Sequence, residues 1–540
     1  MRLKTFLLSC GFALAVTQCL AQQALLAGKV SAPAEGAMEG VVVSAKKGIL
    51  TVSVVSNAKG EFSFPAGRLD AGVWALSTRA TGYNLEGPKT VTIAEGTPAN
   101  LEMKLVKTRN LAAQLTNLEW IMSAPGTDEQ RKALSGCTNC HSVERIVSSS
   151  YDAADMFEVI KRMAQYSNNS FYKKPQIRAE VRDINRFVPN AEKVAAYFAS
   201  INRSEGERTW ELKTLPRLTG DSTKVVITEW DLPEATIQPH DVFVDQDGTT
   251  VWHTDFSGQI LGRLDTKTLQ HKAYSVPLQR QGWPTGALDL EPDKDGNLWL
   301  GLMFQHGAAK FDRKTEKFTM VQLPPDQLKA DSQQAMVSPQ NIHVDGKLWM
   351  QDPARRGIYR VELASGKAEL FEPFANKPGG PYSIFSDAKN NVWFLDFGGE
   401  NIGKIDAATG ASSLYPTPTK RSRPRRGRID AEGRIAFAEF GGERVGVFDT
   451  KTEKFTEWEV PGKFFAPYDA SVDKTGHMWT AGMNADRVVR IDTRTGKTTE
   501  YQLPRYTNVR RIYVDDSQAK PSLWIGNNHG GSIIKIEPLD

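Results

Sequence analysis

Cys137-Thr138-Asn139-Cys140-His141 places two thiols and an imidazole within a few residues of chain. Sulfurs at that spacing can form thioether links to the two vinyl groups of a porphyrin, and the adjacent histidine then meets the iron. The spacing predicts one covalent haem c on Cys137 and Cys140, with His141 as proximal ligand. A redox dithiol would need a thioredoxin-like βαβ setting, which this segment lacks; a zinc site would need a fourth ligand; a plain disulfide would leave His141 without a role. Only Met156 and Met163 lie between His141 and Met303. Met163 closes Lys161-Arg162-Met163 just before the irregular stretch from Gln165 to Pro175, and is the expected distal ligand, ahead of Met156 and of an open or nitrogen-ligated iron.

A second set of chemistry-bearing residues sits in a repeat. From about residue 224 an apolar-tryptophan pair recurs every forty-odd residues: Val251-Trp252, Leu298-Trp299, Leu348-Trp349, Val392-Trp393, Met478-Trp479 and Leu523-Trp524, with Ile435-Ala436 at the position lacking tryptophan. Each pair follows a turn such as Asp295-Gly296 and precedes a strand ending in an acid, such as Phe311-Asp312. Four-strand repeats of this length are β-propeller blades, and seven of them close a ring. The last repeat lacks its outer strand, whereas Thr228-Glu229-Trp230-Asp231-Leu232-Pro233 is an orphan outer strand before the first. The N-terminal strand is therefore expected to complete the C-terminal blade.

In a blade the innermost strand and the returning second strand share a face at their start and end. Innermost starts read Pro239-His240, Pro284-Thr285, Pro339-Gln340, Pro381-Tyr382, Pro424-Arg425 and Pro467-Tyr468, with Arg510 or Arg511 in the last blade; three residues past the tryptophan position come Asp255, Asp352, Asp396 and Glu439. The expected catalytic set at this mouth is His240, Tyr382, Tyr468 and Arg425. His240 would serve as a base, and the arginines and tyrosines would seat an anionic or phenolic substrate. Asp255, Asp396 and Glu439 would offer a Mg2+ site. The alternative is a wet polar channel whose groups satisfy one another. Lys420 to Arg428 forms a basic cluster, read as a solvated loop or as a steering patch for acidic ligands.

Elements that position these residues divide the chain. Residues 24–105 hold short β-rich runs between glycine and proline turns, the spacing of a small β-sandwich. Residues 108–204 turn helical: Thr127-Asp128-Glu129-Gln130 starts a helix, and Asp152 to Met163 and Ala191 to Ile201 carry apolar residues at helical spacing. Residues 224–540 are the propeller. The fold class is thus multidomain: an all-β sandwich, an α-helical module and a seven-bladed all-β propeller.

Three resemblances follow from these residues. Gly28, Gly40-Val41, Gly60-Glu61-Phe62-Ser63-Phe64, Gly72-Val73-Trp74 and Gly82-Tyr83 resemble the carboxypeptidase regulatory-like domain, a transthyretin-like sandwich, which implies a spacer, attachment or glycan-like binding role. The haem motif and its flanking helices resemble a class I c-type cytochrome. Gln238-Pro239-His240-Asp241-Val242, and Val392-Trp393-Phe394-Leu395-Asp396 through Ile402-Gly403-Lys404-Ile405-Asp406, resemble the virginiamycin B lyase (streptogramin lyase) family. That last resemblance implies peptide-ring opening by elimination, with His240 as base and Mg2+ on acids. In the family the histidine follows Glu-Pro; here Gln238 replaces the glutamate, and Asp255 stands where a second metal-binding glutamate is placed.

Length and composition bound the rest. At 540 residues the chain exceeds a single core. Hydrophobic residues are 40% and charged residues 24%, which excludes wholesale disorder. A net charge of +4 excludes a nucleic-acid binder. Residues 1–21, with Arg2, Lys4 and the apolar run from Phe6 to Val16, read as an export signal, with Leu7-Leu8-Ser9-Cys10 as a competing lipid-attachment box. No later stretch is apolar enough for a membrane span. The expectation is a periplasmic haem protein that moves electrons between its cytochrome module and a small molecule or redox partner at the propeller. The alternatives are a Mg-dependent carbon-oxygen lyase with an accessory cytochrome, and a non-catalytic platform that docks redox proteins.

Overall fold

The computed structural model describes residues 26–180, 182–204 and 209–540. The expected export signal, with its Leu7 to Cys10 box, lies outside these residues. Among them no helix is long and apolar enough to cross a membrane.

The propeller is built as the repeat predicts. Six sheets of four antiparallel strands follow one another: blade 1 (239–275), blade 2 (287–322), blade 3 (337–371), blade 4 (381–416), blade 5 (424–459) and blade 6 (467–502). Blade 7 comprises Val509–Asp515, Ser522–Asn527 and Ser532–Pro538, completed by Val225–Asp231 from the other end of the repeat region. The recurring aspartate–tryptophan spacing has a physical cause. The indole N–H groups of Trp252, Trp299, Trp393 and Trp479 donate to Asp245, Asp293, Asp387 and Asp473, in the turn just before each strand, at 2.7–3.1 Å. The turn carboxylate thus satisfies a polar atom that would otherwise be buried bare, while the ring fills the space between blades, each burying about 150–250 Å².

Two innermost starts differ from the sequence reading. Blade 2 begins at Ala287, three residues past Pro284, and Pro339-Gln340 lies beyond the two-residue strand Val337–Ser338 of blade 3.

Residues 26–107 form a β-sandwich around a core that includes Val30, Trp74 and Leu105. One of its sheets does not end at its own edge. Leu50–Val55 pairs antiparallel with Val225–Asp231, in the register Val226 to Val54 and Trp230 to Leu50. Blade 7 and the sandwich therefore share one eight-stranded sheet. Each covers an edge that would otherwise present unpaired backbone groups.

Between them lie helices α1 (Asn117–Ser123), α2 (Asp128–Cys137), α3 (Glu144–Val147), α4 (Ala153–Met163), α5 (Ile184–Phe187) and α6 (Ala191–Ser200). Thr116 and Thr127 start α1 and α2 with capping boxes, and Asp152 caps α4. These helices have no separate core. Trp120, Ile121, Met156, Ile160 and Phe198 join Ala436, Phe465, Met478 and Val489 of blades 5 and 6 in one apolar cluster.

Candidate functional site

Six of the seven innermost strands carry a β-bulge at the same place: between Pro239 and Val242, Ala287 and Leu290, Pro381 and Ile384, Pro424 and Gly427, Pro467 and Ala470, and Val509 and Ile512. A bulge sets two residues against one on the partner strand and re-aims side chains. Two consecutive residues per blade are freed from the regular alternation, and in five of the six blades that pair includes a charged side chain. The result is two tiers of polar groups.

The first tier gathers the expected set. His240 Nε2 lies 3.3 Å from the Tyr468 hydroxyl, which lies 2.6 Å from that of Tyr382. His240 Nδ1 is 2.5 Å from Asp241 Oδ1, so Nδ1 carries the hydrogen and Nε2 presents its lone pair. Burial, offset in part by Asp241, drives the His240 pKa down to about 3, which keeps the ring a neutral acceptor. Tyr382 is pushed up by burial and by Tyr468. The Arg425 guanidinium lies 3.8 Å from the Tyr468 ring centroid.

The sequence reading named Arg511 only as an alternative to Arg510 and put Arg426 in a solvated or steering basic loop. Pro424–Ile429 is instead an innermost strand with Arg425 and Arg426 buried, and Arg426 is part of a second tier. Arg426 grips Asp241 with two bonds of 2.9 and 3.0 Å and reaches Asp289 at 2.5 Å. Arg511 bonds Asp241 at 2.5 Å and Asp289 at 2.7 Å, and also pairs with Glu291. Burial alone would raise Asp241, but Arg426, Arg511 and the His240 ring hold it well below its ordinary value. Asp289 goes the other way, to about 7, because burial and the Glu291 and Asp241 charges outweigh its share of the arginines. The available signal was a charged residue inside an otherwise apolar innermost strand, repeated from blade to blade.

The strand-end acids do not converge. Asp255 accepts from the Gln238 and Ser257 amides, Asp352 from Ser332 and the Ala354 amide, and Asp396 from the Gly380 amide and Asn401. Each fastens the loop of its own blade. Among the described residues no group of three or more His, Cys, Asp or Glu is arranged to hold a metal ion, so Asp255, Asp396 and Glu439 are not brought together as a Mg2+ site. Glu439 is buried with neither oxygen accepting a hydrogen bond, and burial plus neighbouring Glu457 raise its pKa to about 9. A carboxyl raised in the fold is neutral there, so its penalty is absent below about pH 4.5 and grows until about pH 9. Glu439→Gln should therefore stabilise the protein by on the order of 3 kcal/mol at pH 7. The gain should vanish near pH 4.5 in denaturant titrations.

Part of this mouth is roofed by the helical segment. Asn169 donates to the Phe256 and Thr285 carbonyls at 3.0 and 2.6 Å, Gln176 to the Ser257 and Thr285 carbonyls at 3.0 Å each, and Lys174 lies 3.6 Å from Asp255. Beside this roof the Cys137–His141 turn is docked, the Tyr172 amide donating to the Cys140 carbonyl and Phe171 stacking on His529 at 5.1 Å. Thr138 donates to Asn484 at 2.8 Å, and the Asn139 carbonyl accepts from Arg510 at 2.7 Å and from His529 at 3.1 Å. Arg510 also stacks over Phe256, 4.5 Å from its centroid, and Phe256 packs on His240 at 4.7 Å.

The turn supplies donor types that a covalent haem takes, two thiols and an imidazole. Cys137 and Cys140 are not bridged. Burial pushes the Cys137 thiol up to about 12 and raises Cys140 as well, the opposite of an activated redox dithiol. His141 Nδ1 donates to the Ser142 carbonyl at 3.0 Å, leaving Nε2 free to ligate iron, as a ligand's outer-shell bond does. His141 also lines a cavity of about 640 Å³ shared with Arg145, Tyr172 and Tyr506, which Cys137, Cys140 and Met163 do not line. Of the two methionines, Met156 belongs to the apolar core, whereas Met163 ends α4 half-buried outside that cluster.

Comparison with known proteins agrees with this architecture. Residues 222–481 match the model of the Virginiamycin B lyase family. A streptogramin B lyase structure is similar with a TM-score of 0.50 at 22% identity, covering 59% of this chain and 100% of that one. A catalytically inactive histidine-to-alanine form of virginiamycin B lyase from Staphylococcus aureus, solved with quinupristin, is similar with a TM-score of 0.50 at 20% identity, covering 58% and 99%. A search of curated proteins found no match. At these identities the likeness establishes the fold alone. The C-terminal domain of this chain is a virginiamycin B lyase-like propeller.

Proposed function

We propose that the chain is a periplasmic c-type haem protein that exchanges electrons with a small molecule or redox partner bound at the propeller mouth. In this reading residues 1–21 direct export, 24–105 are a carboxypeptidase regulatory-like brace, 108–204 are the cytochrome module and 224–540 receive the substrate. The observation that carries it is the docking of the Cys137 to His141 turn on that mouth, through Arg510 and His529 on the Asn139 carbonyl.

Bound haem, held by Cys137, Cys140, His141 and, in this reading, Met163, would accept or supply single electrons. The chain's own groups would manage the rest. His240 Nε2, oriented by Asp241, would be the neutral acceptor at the inner end of a hydrogen-bond chain through Tyr468 and Tyr382 that reaches a bound molecule, and the roof from Asn169 to Gln176 would exclude water.

The family match favours a second reading, a lyase-like elimination with His240 as base and Mg2+ as cofactor. One experiment separates them. Protein matured in a periplasm competent for haem attachment is oxidised, mixed with periplasmic metabolite extracts and followed by visible spectroscopy. Growth of reduced haem bands is expected. A colourless product, or turnover abolished by chelator while the haem bands stay silent, would overturn the redox reading.

A further inference from the structure

Arg425 is 8% exposed, yet among the described residues nothing accepts a hydrogen bond from it, and its Nε is buried without a partner. The next residue, Arg426, is saturated by Asp241 and Asp289. Four rings surround the Arg425 guanidinium carbon: Tyr468 at 3.8 Å, Phe440 at 4.5 Å, Phe397 at 4.6 Å and Tyr382 at 5.3 Å. Arg510, at the same mouth, donates to Asn508 and Asn139 and has no carboxylate partner either. Two buried guanidinium groups thus lie at one mouth, and among the described residues no carboxylate accepts a hydrogen bond from either. Burying a cation unpaired is unfavourable, and ring faces offset only part of the lost hydration.

We infer that the mouth binds an aromatic carboxylate, its oxygens paired with the Arg425 fork and its ring packed on the half-buried Phe397 and Phe440, which contact each other at 5.7 Å. A guanidinium matches a carboxylate with two parallel bonds, and its planar geometry suits a site walled by rings. Entry is from blades 4 and 5. The 169–176 roof bonds blades 1 and 2 and the Cys137–His141 turn bonds blades 6 and 7, whereas at the mouth of blades 4 and 5 Phe397 and Phe440 are half-buried and Arg423 is exposed. This assignment names the substrate class of the proposed redox site and rests on that reading for its purpose, but not for its chemistry.

Calorimetric titration of the full-length protein with benzoate and with its neutral analogue benzamide tests it. Benzoate should bind saturably, benzamide at least tenfold more weakly, and Arg425→Met should weaken benzoate at least tenfold. Arg425→Lys should recover part of the affinity, because it restores charge without the fork. Equal binding of the two compounds to the unsubstituted protein would overturn the inference even if a variant failed to fold, and so would unchanged benzoate affinity in a folded Arg425→Met. A colourless protein that prefers benzoate defeats the redox reading and leaves the anion site standing; a haem-loaded protein indifferent to benzoate does the reverse.

Discussion

Asp241→Asn should lower the unfolding free energy by about 3–5 kcal/mol, the loss typical of breaking a buried ion network by removing one partner. Asp241 accepts from both Arg426 and Arg511 and also fixes the His240 ring, so its loss leaves two fully buried cations under-compensated. Asp289→Asn should cost much less. Asp289 is already held near neutrality, at about 7, by the carboxylates beside it, and Asp241 remains to serve both arginines. The two changes should also be strongly non-additive, because in the Asp241 variant Asp289 ionises more readily and takes over part of the load. Denaturant titrations of the two single variants and the double variant measure this; equal losses from the two single changes would contradict the tiered picture. The wild-type curve has its own signature. Asp289 rises from its ordinary 3.8 to about 7, so its contribution to stability declines as pH climbs from about 4 towards 7, in the same direction as that of Glu439.

Cys137→Ser combined with Cys140→Ser should remove all covalently held haem, while either single change leaves one thioether link. Haem staining after denaturing electrophoresis reads the difference between full, partial and no signal. Haem retained through denaturation in the double variant would show that attachment is elsewhere. The propeller should survive, because the turn is gripped by the Thr138 side chain and the Thr138 and Asn139 carbonyls rather than by its sulfurs. An unchanged far-UV spectrum from the β-sheets is therefore expected alongside the lost colour.

Much of the architecture was legible because its causes are local. The turn aspartate that accepts the indole N–H lies only six or seven residues before its tryptophan, so each blade writes its own signature, as in Asp293 and Trp299. The closing exchange between Val225–Asp231 and Ser532–Pro538 was legible from one missing strand and one surplus strand. His240, Tyr382, Arg425 and Tyr468 were found because proline marks their strand starts. The second tier was missed for a physical reason. A regular strand sends alternate residues to opposite faces, and only the bulge admits Asp241 beside His240, or Arg426 beside Arg425. The strand-end acids were legible as a set but not in their placement, since amides of their own loops take up Asp255, Asp352 and Asp396, while Glu439 is left without a hydrogen-bond donor. The roof was invisible, because Asn169 and Gln176 act on carbonyls 81 to 116 residues away.

The strand Val225–Asp231 finds one partner in residues already made and the other some 300 residues later. At ~5–20 residues per second that is about 15–60 s of synthesis. Throughout this interval Leu50–Val55 can hold the strand extended and in register. The sandwich can thus serve as a template, keeping a latch open in the right shape until the strand Ser532–Pro538 arrives to shut it, whether during synthesis or after export.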